Sequence, residues 1–115
     1  MATLTEARRT GEFLISEANG TRSREKVTIA AAASALVAGT VMGKITVGGK
    51  YVAYNNGASD GSEVAAGILY AAVADSASDQ PGVIIARDAE VAEVHLTGID
   101  ATGKTDLAAL GVIVR

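Results

Sequence analysis

Apolar positions in this chain come in short bursts separated by turn-forming residues, and no stretch sustains a helical period. Thr40 to Val47 and Tyr51 to Tyr54 are two apolar-rich runs flanking Gly48-Gly49, a pair able to take the positive φ angles of a tight hairpin. Asn55 to Ser62 is dense in Asn, Gly, Asp and Ser, and Gly67 to Ala74 is apolar again. The pattern predicts a hairpin, a loop and a third strand. Upstream, Glu12 to Ser16 is a short β-prone segment around Phe13, closed by the turn signal Asn19-Gly20. Thr21 to Lys26 reads as a charged connector and Val27 to Ala30 as a strand. Ala31 to Ala38 fits either a helical turn or an extended crossover, because alanine favours helix while the run is too short to show a period. Downstream, Asp75 to Pro81 is a turn cluster, with strands expected at Val83 to Arg87, Glu90 to Leu96 and Val112 to Val114. Asp106, a residue of the N-cap type, and Gly111 bracket a single helical turn.

Short strands at this density predict a mainly β (β-dominated α+β) fold: one small barrel-like or tulip-like domain with at most one or two short helices. The first residues are polar and without period, so the chain divides into an arm, residues 1–16, and a β-rich domain, residues 17–115.

Composition sharpens this picture. Of 115 residues 49% are hydrophobic but only 3% aromatic, so the core is built from Ala, Val, Ile and Leu. Small side chains bury little area each, at roughly 25 cal/mol per Å² of apolar surface, which favours further burial between copies of the chain. With no cysteine, disulfides and thiolate metal sites are excluded. The longest apolar run, Ile29 to Ala38, is too short to cross a bilayer, and Met1 to Thr10 lacks the apolar core of a secretory signal. The net charge of −3 is unevenly spread: residues 1–50 hold seven Lys/Arg against four Asp/Glu, and residues 51–115 hold three against nine. That asymmetry suits a docking partner of mixed charge. The cations are too few, and too unaccompanied by aromatics, for nucleic-acid binding.

Candidate chemistry is sparse. Gly98 to Thr105, GIDATGKT, matches the phosphate-binding loop pattern in Gly98, Gly103, Lys104 and Thr105. A working loop of that kind precedes a full helix and needs later strands to bring an acidic residue to the metal, whereas only ten residues follow Thr105. His95, the sole histidine, alternates with Val91 and Glu93 on the polar side of an expected strand, a surface position. No Gly-x-Ser-x-Gly is present. Asp75, Asp79 and the Asn55 to Asp60 loop lack the ligand spacing of a calcium-binding loop. Asn19-Gly20-Thr21 is a glycosylation sequon by letters alone. Lys44, after Met42-Gly43, raises a lipoyl- or biotinyl-type carrier as an alternative, but a carrier lysine sits at a hairpin tip and the tip here is Gly48-Gly49. The expectation is a binding protein with no enzymatic activity and no cofactor.

A Gly-Thr-Val-Met-Gly-Lys strand from Gly39, a Gly-Lys-Tyr return strand, an Asp-Gly-Ser loop at Asp60 and an Ala-Ala-Gly-Ile-Leu strand from Ala65 follow in order. In this order the chain resembles the bacteriophage head decoration (capsid-cementing) family, over roughly Val27 to Leu96. The resemblance implies a homotrimer that binds the major capsid protein of the expanded head at threefold and quasi-threefold sites. There it would stabilise the shell against packaged DNA, without contact to nucleic acid or membrane. It further implies a place on the outer surface of the virion, after synthesis in the host bacterial cytoplasm, and an arm that orders on the capsid. The arm residues assigned to shell contact are Thr5, Glu12, Phe13, Leu14 and Ile15, a Pro-free segment suited to strand addition. The alternative within the same class is another phage structural β module, a tail or fibre component.

Overall fold

The computed structural model describes residues 9–32 and 34–115. Among these residues eight strands form two sheets, with one α-helix. Five strands close a barrel in the order β2-β4-β3-β5-β6, where β2 is Arg24–Ile29, β3 Val41–Lys44, β4 Tyr51–Ala53, β5 Ala65–Leu69 and β6 Gln80–Ile85. The remaining three, β1 (Leu14–Glu17), β7 (Ala89–Val91) and β8 (Val112–Val114), form a second sheet in the order β1-β7-β8. The mainly β, single-domain expectation holds.

The predicted hairpin is present. β3 and β4 pair antiparallel, with Met42 opposite Ala53 and Lys44 opposite Tyr51. The connecting turn places Gly48 and Gly49 at φ 92° and 70°, a region that side chains with a Cβ avoid. β3 then pairs with β5 on its other side, and β5 with β6. β2 pairs along its whole length with β6 and, parallel, with β4 at Ile29 and Tyr51, which closes the barrel. Closure removes the open edges that a five-stranded sheet would otherwise present.

Several boundaries differ from the sequence expectation. β2 begins at Arg24, inside the segment read as a charged connector, because Arg24, Glu25 and Lys26 pair with Ile85, Ile84 and Val83 and the ladder accepts charge on an outer face. The described part of Ala31 to Ala38 is extended, held to the chain after β5 by bridges Ala32 to Ser76 and Leu36 to Val73. The strand expected to reach Leu96 stops at Val91, and Glu93–His95 form one 3₁₀ turn. The alternating-face argument for His95 and Glu93 therefore falls. The helix is also longer than one turn. α1 runs Ala101–Ala109, capped by Asp100 and not Asp106, with the Asp100 carboxylate accepting from the Gly103 N–H at 2.6 Å. Asp106 lies within α1 and turns its carboxylate to the Ala65 N–H at 3.0 Å, tying the helix to β5.

Two apolar clusters fill the molecule. One joins Phe13, Val41, Ile68, Ile85, Val91, Leu107 and Val112, and so unites both sheets and α1. The other, with Ile29, Met42, Tyr51, Leu69 and Ile84, lies within the barrel. Among the described residues no buried side-chain polar atom lacks a partner.

Candidate functional site

The residues assigned to partner contact converge on the start of the second sheet, with the exception of Thr5, which lies outside the described residues. Arg9 to Glu12 form a turn in which the Glu12 N–H donates to the Arg9 carbonyl at 3.1 Å and the Arg9 N–H donates to the Glu12 carboxylate at 3.2 Å. The Gly11 N–H donates to the Tyr70 carbonyl, which fixes this turn against the barrel. Phe13 then points inward and is 1% exposed. Leu14 pairs with Val91 and is half-buried against the main core. Ile15 falls in the register shift between Leu14 and Ser16 and stands 53% exposed.

The register shift thus divides the segment by role. Glu12 and Ile15 are exposed, while Phe13 and Leu14 hold the strand to the body of the molecule. A large apolar side chain kept at the surface of an anchored strand is available to a partner at little ordering cost.

A polar clasp surrounds this strand that sequence reading did not find. The Ser16 hydroxyl donates to Glu90 on β7 at 2.8 Å, and the Glu90 carboxylate also accepts from Arg115 at the end of β8. These bonds, the Ser16 one first, hold the Glu90 carboxyl below its ordinary range. Glu17 receives both the Nε and an Nη of Arg24 at 3.1 and 2.7 Å, and the Arg24 guanidinium lies 4.3 Å from the Tyr70 ring centre. Ser23, buried, accepts from the Ala18 N–H and donates to the Asp88 carbonyl. Partners separated by 74 positions, as Ser16 and Glu90 are, leave no local signal in a sequence.

The other candidates gain no support from the geometry. Lys104 and Thr105 of the phosphate-loop pattern lie inside α1, where the Thr105 hydroxyl donates to the Ala101 carbonyl and Lys104 pairs with Glu93. The N–H of Gly103 is taken by Asp100. Lys44 ends β3, short of the hairpin tip, with its ammonium 6.0 Å from the Tyr51 ring centre. Among the described residues no group of three or more His, Cys, Asp or Glu could hold a metal ion. No helix among them is long and apolar enough to cross a membrane.

The family model described as bacteriophage lambda head decoration protein D matches residues 3–112, nearly the whole chain. No curated protein matches the chain.

Proposed function

This chain belongs to the bacteriophage lambda head decoration protein D family, and we propose that it cements the expanded phage head as a homotrimer seated at threefold and quasi-threefold positions. Membership makes it a structural, capsid-decorating protein of the virion. The finer reading is that the trimer bridges neighbouring major capsid protein subunits and resists the outward pressure of packaged DNA. Its copies would be made in the host bacterial cytoplasm and join the shell from outside.

The observation that carries this reading is the family match across residues 3–112. The arm segment supports it. Ile15 supplies an exposed apolar contact and Glu12 a polar one, while Phe13 and Leu14 transmit load from the contact into the core. A trimer presents this contact three times, so each engagement raises the effective concentration of the next, and weak single contacts sum to a durable clamp. Chemistry plays no part in such a mechanism, and no cofactor is required.

Co-sedimentation with expanded, undecorated heads tests it. The full chain is compared with a chain lacking residues 1–8 and with Ile15→Asp, both of which leave Phe13 in the core. Saturable binding by the full chain, at least tenfold weaker in either variant, supports cementing through the arm. Equal binding by all three keeps decoration and removes the arm from it. No binding by the full chain sends the assignment to a tail or fibre component.

A further inference from the structure

Away from the arm, a continuous depression crosses the barrel around Tyr51 and Glu25, and its two halves differ in character. One half is a groove of about 440 Å³ whose walls include Val64, Ala66, Ala86, Ala109 and Leu110, with Asp106 at its side. Val64, just before β5, is 53% exposed, and Leu110, just after α1, is also exposed. Glu25 and Arg87, which also line this half, pair with each other at 3.4 Å, so Asp106 sets its charge. The other half, about 200 Å³, shares Glu25 and Tyr51 and is lined by Lys26, Val27, Lys44 and Gly49. Neither Lys26 nor Lys44 has a carboxylate partner among the described residues, whereas Arg22, Arg24, Lys50, Arg87, Lys104 and Arg115 all do.

We propose that this depression is the contact between copies of the chain, the lysine half of one copy covering the apolar, acidic half of the next. The inference rests on the oligomeric part of the function proposed above and names the surface that part lacks. Three features select a second copy as the occupant. The charges of the two halves are opposite, so a copy related by rotation brings Lys26 and Lys44 toward Asp106. The apolar wall exposes Val64 and Leu110 beside alanines, giving close backbone approach and apolar burial that a core poor in aromatics leaves available. The two halves are different, so a copy that places them on two different neighbours makes a head-to-tail contact, and such contacts form a ring when the rotation closes. The surface lies on the barrel and includes no residue of β1, so the arm contact and the copy contact are free to form together.

Sedimentation equilibrium over a wide concentration range tests it with the full chain, Val64→Asp, Lys44→Glu and Val94→Asp. Val94, 77% exposed in the 3₁₀ turn, serves as the control away from this surface. Circular dichroism melting reports folding, and Lys44→Glu alters an exposed side chain, so the test survives if Val64→Asp does not fold. The expected result is association of the full chain, weakened at least tenfold in Val64→Asp and Lys44→Glu and unchanged in Val94→Asp. A monomeric full chain, or association equal in all folded variants, overturns the proposal. Head co-sedimentation on the same proteins separates the two readings. Heads bound by a chain monomeric in solution overturn this contact and leave decoration standing, whereas association lost as expected without head binding keeps the contact and overturns decoration.

Discussion

Phe13 is the single phenylalanine of the chain and, at 1% exposed, the largest fully buried side chain among the described residues, in the cluster that joins both sheets. Its replacement by alanine removes apolar contact and leaves a cavity in that cluster, at a cost of about 3–5 kcal/mol. Urea unfolding of Phe13→Ala checks this, with a midpoint drop large enough to leave a 115-residue domain marginal. Gly43, in the middle of β3, is under a different constraint: a Cβ there would stand 2.7 Å from the backbone of Ser62, closer than packed atoms approach. Because the obstacle is backbone, Gly43→Ala shifts the whole loop before β5 and is expected to destabilise by roughly 1–3 kcal/mol. Tyr54 carries a pH signature. Burial first, then its hydrogen bond to Asp100 at 2.9 Å, pushes the Tyr54 hydroxyl up to about 12 from an ordinary value of 10. A raised folded-state value means that the unfolded chain loses this proton first. The contribution of Tyr54 is therefore complete below pH 10 and is lost as the pH rises toward 12. Alkaline unfolding of Tyr54→Phe is expected to show a shallower loss over that window than the parent chain.

At the scale of elements, legibility follows the range of the interactions. The β3–β4 hairpin was readable because Gly48-Gly49 and the flanking apolar runs are contiguous in the sequence, and β8 because Gly111 precedes it. The helix was read too short because its signal sits in Asp100, within a stretch whose letters match a phosphate loop, while Asp106 does tertiary work on Ala65. The early end of β7 was not readable, since the turn that ends it is closed by the Arg115 carbonyl accepting from the Glu93 N–H, and by Lys104 on α1 pairing with Glu93. The site was half legible. Glu12 to Ser16 is legible as a β-prone segment, but the register shift that leaves Phe13 buried and Ile15 exposed depends on pairing with β7. The clasp around Glu90 yields a prediction at this scale. Its folded-state carboxyl lies below the ordinary range, so its contribution is present above the unfolded value and is lost as pH falls through the folded one. Glu90→Gln is expected to flatten the acid limb of the stability profile by lowering its neutral-pH level, a small effect for so exposed a group. The measurement is the protection of β1 amides relative to their intrinsic exchange rates, expected to fall in acid in the parent chain and to be less pH-dependent in the variant.

For the whole molecule, the decisive feature is that one apolar cluster joins the barrel, the second sheet and the helix, beside a second cluster inside the barrel. Phe13 precedes β1, Val41 and Ile68 belong to the barrel, Leu107 to α1 and Val112 to β8, and all sit in one cluster. Such sharing couples the elements into one cooperative unit, because losing any of them exposes apolar surface on the others. The coupling also bears on how load travels in a decorating protein. If the proposed contact at Ile15 bears load, that load enters through β1 the cluster that joins the second sheet, the helix and the barrel. Unfolding followed by far-ultraviolet circular dichroism and by tyrosine fluorescence should therefore coincide in a single transition. A chain beginning at Arg9 keeps every core residue named here and is expected to match the full chain's urea midpoint. A chain beginning at Leu14 lacks Phe13 and is expected to lose most of its stability. Two resolved transitions, or equal midpoints for the two truncations, would show that the first strand is an appendage to the barrel and not part of its core.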